Sequence, residues 1–127
     1  MTALLIAIGG ALGSLARWGL SELVARAWGP AFPWGTLLVN VTGSFLIGAA
    51  AGGSWNDVRL VDSPFVRHFV MVGVCGGYTT FSAFSLQTVS MLQAGDVGRA
   101  GIYAVASVLS CLVATWAGYA LAAALAR

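Results

Sequence analysis

Lysine is absent from this chain, histidine occurs once, and only four acidic residues stand among its 127. Charged residues make up 8% of the sequence, where a soluble domain usually carries about a quarter. Hydrophobic residues make up 59%, and the mean hydropathy is +0.89, so the solvent for most of the surface is lipid. A net charge of +2 with no basic run excludes a nucleic-acid surface. The two cysteines, Cys75 and Cys111, lie inside apolar stretches and provide neither a disulfide framework nor a zinc site. Paired carboxylates, a Ser-His-Asp arrangement, a metal-ligand cluster and a phosphate-binding loop are all missing, which argues against an enzyme. His68, beside Arg67 near an interface, reads as solvated.

What is present is a set of four apolar spans, each able to cross about 30 Å of hydrocarbon as a helix of roughly 20 residues. They run over about 3–25, 34–53, 65–92 and 99–125, within a single domain, 1–127. The first span lacks a charged leader and a convincing cleavage site, so it is expected to be a retained helix. Connections are short, and Asp96 is placed to cap the fourth helix. Gly9/Gly13 and Gly48/Gly52 make two GxxxG spacings, which in lipid favour close helix packing. The six cations are all arginine. With alternating spans, Arg59, Arg67 and Arg127 fall on one side and Arg17, Arg26 and Arg99 on the other. The arginine bias that normally fixes orientation is therefore missing, and insertion both ways is expected.

Polar groups inside a membrane face protein or water, because exposing them to lipid is costly. Arg17 shares a helix face with Gly10, Gly13 and Ser14. It either lends positive potential to an anion path or snorkels to the interface beside Glu22. Thr36 and Asn40 are one turn apart on the second helix, where Asn40 either bonds a neighbouring helix or offers amide donors to an anion. The run Gly76-Gly77-Tyr78-Thr79-Thr80 is poor material for a continuous helix and predicts a break near mid-membrane. Carbonyls freed there need protein, water or a cation. Beyond it, Phe81 and Phe84 share a face, and ring edges carry partial positive charge. Tyr103, Ser107, Cys111 and Thr115 recur every fourth residue on the last helix, as one polar stripe.

Three strings together carry a resemblance that spans nearly the whole chain: Gly9-Gly10-Ala11-Leu12-Gly13-Ser14-Leu15-Ala16-Arg17-Trp18, Gly35-Thr36-Leu37-Leu38-Val39-Asn40-Val41-Thr42-Gly43-Ser44-Phe45, and Gly76-Gly77-Tyr78-Thr79-Thr80-Phe81-Ser82-Ala83-Phe84. They resemble the Fluc (CrcB-type) fluoride channel family. The resemblance implies an all-α membrane protein of four helices, the third broken, assembled as an antiparallel dual-topology homodimer with two fluoride pores. It implies passive export of cytoplasmic fluoride across the cell's inner (plasma) membrane. By the same resemblance Asn40, Phe81, Phe84, Thr36, Tyr103 and Ser107 would line the pore, and Arg17 would match the first-helix arginine. Backbone carbonyls of Gly76 and Thr79 would hold a structural Na+ on the dimer axis. Departures are Ser14, Trp18 and Ala83, where the family has Ala, Tyr and Thr, and Cys111, where a Ser often continues the polar stripe.

Two other functions compete. A small dual-topology multidrug-type exporter would need a titrating carboxylate deep in the membrane, and Glu22, near a helix end, is the nearest approach. A noncatalytic membrane assembly subunit would account for the glycines but not for Asn40, Phe81 and Phe84 together.

Overall fold

The computed structural model describes residues 1–55 and 58–126, without the Trp55 side chain. Asp57 and Arg127, which enter the charge argument, lie outside the described residues. Four helical spans succeed one another: α1 (Thr2–Trp28), α2 (Trp34–Gly52), a composite third span (Val66–Gln93) and a final helix (Val97–Leu125). Each is long and apolar enough to cross a membrane, and the chain is a multi-pass membrane protein. The third span consists of a π-helix (Val66–Cys75), one α-turn, α3 (Gly76–Tyr78), and α4 (Phe81–Gln93); the final helix is α5. Between α2 and the third span lie a two-residue pairing of β1 (Ser54–Trp55) with β2 (Val58–Arg59) and a 3₁₀ turn, Leu60–Asp62. At the start of α5, Asp96 Oδ1 accepts the Arg99 backbone N–H at 3.2 Å.

The third helix is broken, but at Thr79–Thr80 and not at the glycines. Thr79 (φ −82°, ψ 159°) and Thr80 (φ −151°, ψ 118°) are extended, while Gly76 and Gly77 stay helical. β-Branched side chains tolerate extended backbone well, and the Thr80 hydroxyl restarts the helix by accepting the Ala83 N–H at 3.1 Å. Gly77 serves a different purpose. A Cβ on Gly77 would run into the Gly10 carbonyl, and one on Gly13 into the Val74 carbonyl. Backbones of α1 and the third span thus touch directly, the packing that small residues permit in lipid. Gly48 and Gly118 do the same for α2 and α5, against Thr115 and Phe45. These contacts set the bundle and leave a cleft bounded by α2, α5 and the broken span.

Candidate functional site

Asn40 sits on α2 opposite the break. Its Oδ1 accepts the Thr80 N–H at 2.8 Å, and its Nδ2 donates to the Thr80 carbonyl at 3.0 Å. The side chain therefore replaces backbone bonds that the break removes. An unsatisfied amide in hydrocarbon costs several kcal/mol, roughly the penalty this pairing avoids. The interhelical bond and the cleft-lining position, posed as alternatives, occur together. One Nδ2–H is spent on Thr80, and the amide itself borders the cleft.

That cleft has a volume of about 420 Å³. Asn40 and Gly43 of α2, Thr79, Phe81 and Phe84 of the third span, and Ser107, Cys111 and Thr115 of α5 line it. The two phenylalanine rings lie 5.3 Å apart and tilted by 49°; Phe81 is largely exposed, Phe84 half-buried. Ser107 is only 5% exposed, and its Oγ has no hydrogen-bond partner among the described residues. A buried hydroxyl without a partner costs about 1–3 kcal/mol, so this atom is suited to a guest. Among the described residues no carboxylate lines the cleft. Its polar character comes from an amide, hydroxyls and ring edges.

Two further expected residues lie elsewhere. Tyr103 is fully buried and packs on Phe84 (5.2 Å) on one side and edge-on against Phe32 (5.5 Å, 84°) on the other. Its hydroxyl donates to Gln87 Oε1 at 2.8 Å, and Gln87 Nε2 donates to Thr36 Oγ1 at 2.9 Å. Thr36, Gln87 and Phe32 line a second cavity of about 470 Å³ toward one membrane face. Tyr103 thus stands between the two cavities as an aromatic partition. Sequence reasoning passed over Gln87, although an amide inside an apolar span is the same signal that singled out Asn40. It also passed over Thr80 as the partner of Asn40.

Arg17 lines neither cavity and is half-buried. Among the described residues no hydrogen bond or ion pair engages it, and Glu22 instead meets Arg26 at 3.7 Å, both well exposed. Gly76 lies just before the break and Thr79 within it. The Thr80 N–H that would bond the Gly76 carbonyl goes to Asn40, and the Ala83 N–H that would bond the Thr79 carbonyl goes to Thr80 Oγ1. Neither carbonyl accepts a hydrogen bond among the described residues, and Gly76 is exposed.

The chain is similar to a protein named fluoride-specific ion channel FluC from Opitutus terrae, 56% identical over 91% of this chain and 88% of that one. A protein of the same name from Rhodospirillum rubrum is 51% identical over 94% of this chain and 92% of its own length. Another, from Thermus thermophilus, is 48% identical over 96% and 95%. The family model described as CrcB-like protein, Camphor Resistance (CrcB), matches residues 4–119, nearly the full described bundle, and the chain belongs to that family.

Proposed function

We propose that this protein is a channel through which fluoride leaves the cytoplasm passively, limiting fluoride toxicity. The observation that carries the reading is the cleft beside the helix break. There a buried, unpartnered Ser107 hydroxyl, the Asn40 amide and the Phe81 and Phe84 rings meet with no carboxylate among the described residues. Fluoride is small and strongly hydrated. A path must replace its water with donors and ring edges, tightly enough for entry and loosely enough for exit. A full positive charge would trap the ion, and no Arg among the described residues lines the cleft. The hydroxyl stripe of α5 continues through Cys111 and Thr115. In the other direction, Tyr103 and the Gln87–Thr36 pair lead toward the second cavity.

The functional unit is an antiparallel homodimer. The exposed Gly76 carbonyl, without a hydrogen bond in the middle of a membrane span, supports this reading, because such a group needs a partner away from lipid. So does the balance of arginines across the two faces. With two copies inverted about the break, the Gly76 and Thr79 carbonyls would converge as hard oxygen donors. These donors fit a hard monovalent cation, and Na+ held there would neutralise their partial charges at the dimer axis. The relatives are named fluoride-specific ion channels, which supports a channel over an enzyme. The exporter alternative lacks a cleft carboxylate to couple protons; Glu22 borders the second cavity and is paired. The test is fluoride efflux from proteoliposomes with and without a proton uncoupler. Efflux independent of the proton gradient is expected, and efflux that stops when the gradient is removed would favour the exporter.

A further inference from the structure

The cleft has a second chemical character, away from Asn40 and the rings. Met71, Cys75 and Cys111 all line it. These are both cysteines of the chain and one of its three methionines. Both thiols are free; Cys75 is 2% exposed and Cys111 half-buried. Met71 and Cys75 are four residues apart on the third span and border the same cleft from one wall, while Cys111 borders it from α5.

Neighbouring contacts place the two walls in register. Gly43 of α2 meets Thr79, and Gly48 meets the Thr115 carbonyl. Asn40 bonds Thr80 and Gly43 meets Thr79, so the third span runs opposite to α2. Gly48 with Thr115 and Gly52 with Tyr119 show α5 running the same way as α2. Cys75 is one turn before Thr79, and Cys111 one turn before Thr115. Both cysteines therefore fall between the levels of Gly43 and Gly48 and face the same cleft from two walls, offset along the bundle axis by no more than about one helical turn, or 5.4 Å. Ser107, one turn from Cys111 on the same stripe, carries the unpartnered buried hydroxyl that leaves this cleft incomplete without a guest.

We infer that the sulfur end of the cleft binds a soft monovalent d¹⁰ metal ion of the copper(I) class, held between Cys75 and Cys111 with Met71 as a further donor. Thiolate and thioether donors select such ions over hard cations. One ion displaces the protons of both thiols, because a coordinating thiol is deprotonated, giving a bis-thiolate–metal unit with one negative charge. Met71 donates as a neutral thioether, and no electron is transferred. Metal binding at this end does not depend on fluoride conduction.

The probe is silver(I), as silver nitrate in chloride-free buffer, with the full chain purified in detergent. After desalting, the wild type is expected to retain one silver ion per chain, with two protons released on binding. Prior silver should shield Cys111, the more open thiol, from a maleimide in the folded wild type, a readout that needs no variant. Cys75→Ala and Cys111→Ser should each weaken retention by about tenfold or more, and Met71→Leu severalfold. Absent retention, a Cys111 left unshielded, or unchanged affinity in either single-cysteine variant would overturn the site.

Discussion

The two halves of the third span are held in place by different means. Before the break, the π-helix and α3 lie against α1 through glycine backbones: Gly73 on Gly9, Gly77 on Gly10, and Val74 over Gly13. After the break, α4 has no buried residue. Polar side chains position it instead, with Asn40 gripping Thr80 and Gln87 linking Thr36 to Tyr103. Close backbone packing leaves no room for a guest, whereas hydrogen bonds at two points let the face between them present Phe81 and Phe84 to the cleft. The break thus divides a scaffold from a lining, and Asn40 sits on the boundary.

Variants on either side should fail in different ways. The largest effect is expected at the boundary. Asn40→Asp keeps an acceptor for the Thr80 N–H, loses the donor to the Thr80 carbonyl, and puts negative charge beside the anion path. Repulsion of several kcal/mol at low dielectric should cut fluoride efflux by about two orders of magnitude or more. Next comes the scaffold. Gly77→Val drives methyl groups into the Gly10 backbone, which should cost about 1–3 kcal/mol or more and reduce the yield of folded protein by size-exclusion chromatography. If this variant folds normally but conducts poorly, the division between halves is wrong.

Smaller effects belong to the lining. Phe81→Ile and Phe84→Ile keep apolar bulk and lose the ring edge, so efflux per folded chain should fall about tenfold while folding is retained. Normal flux in both would assign the rings to packing and leave the ion to Asn40 and the hydroxyls. Gln87→Leu should leave the Thr36 and Tyr103 hydroxyls without their present partner. A loss of about 1–3 kcal/mol, read as a lower thermal midpoint, is the expected outcome. An unchanged midpoint would show that α4 does not depend on that link.

Much of this was legible from residue type alone. Four apolar spans and the Asp96 cap needed only hydropathy and helix-end chemistry. The Gly-Gly-Tyr-Thr-Thr run signalled a broken helix, yet its glycines and threonines were weighed together. The threonines took the extended backbone, while Gly77 was required within the helix for contact with α1, and contact between helices is not visible along one strand of sequence. Asn40 was singled out as polar in an apolar run, but its partner Thr80 lies 40 residues away. Spacing within a helix shows which face a residue occupies, not which helix it meets. Thr36 and Tyr103 stood out for the same reason, while their link, Gln87, was hidden by the more conspicuous phenylalanines before it. Arg17, also conspicuous in sequence, ended outside both cavities.

If the cleft is a fluoride path, it must pass fluoride in preference to larger halides, and a single flux experiment reaches that property. Purified protein in liposomes loaded with equal fluoride and chloride should release fluoride on opening a counter-ion path, while chloride stays inside. Equal release of both anions, or retention of both by vesicles containing folded protein, would contradict it.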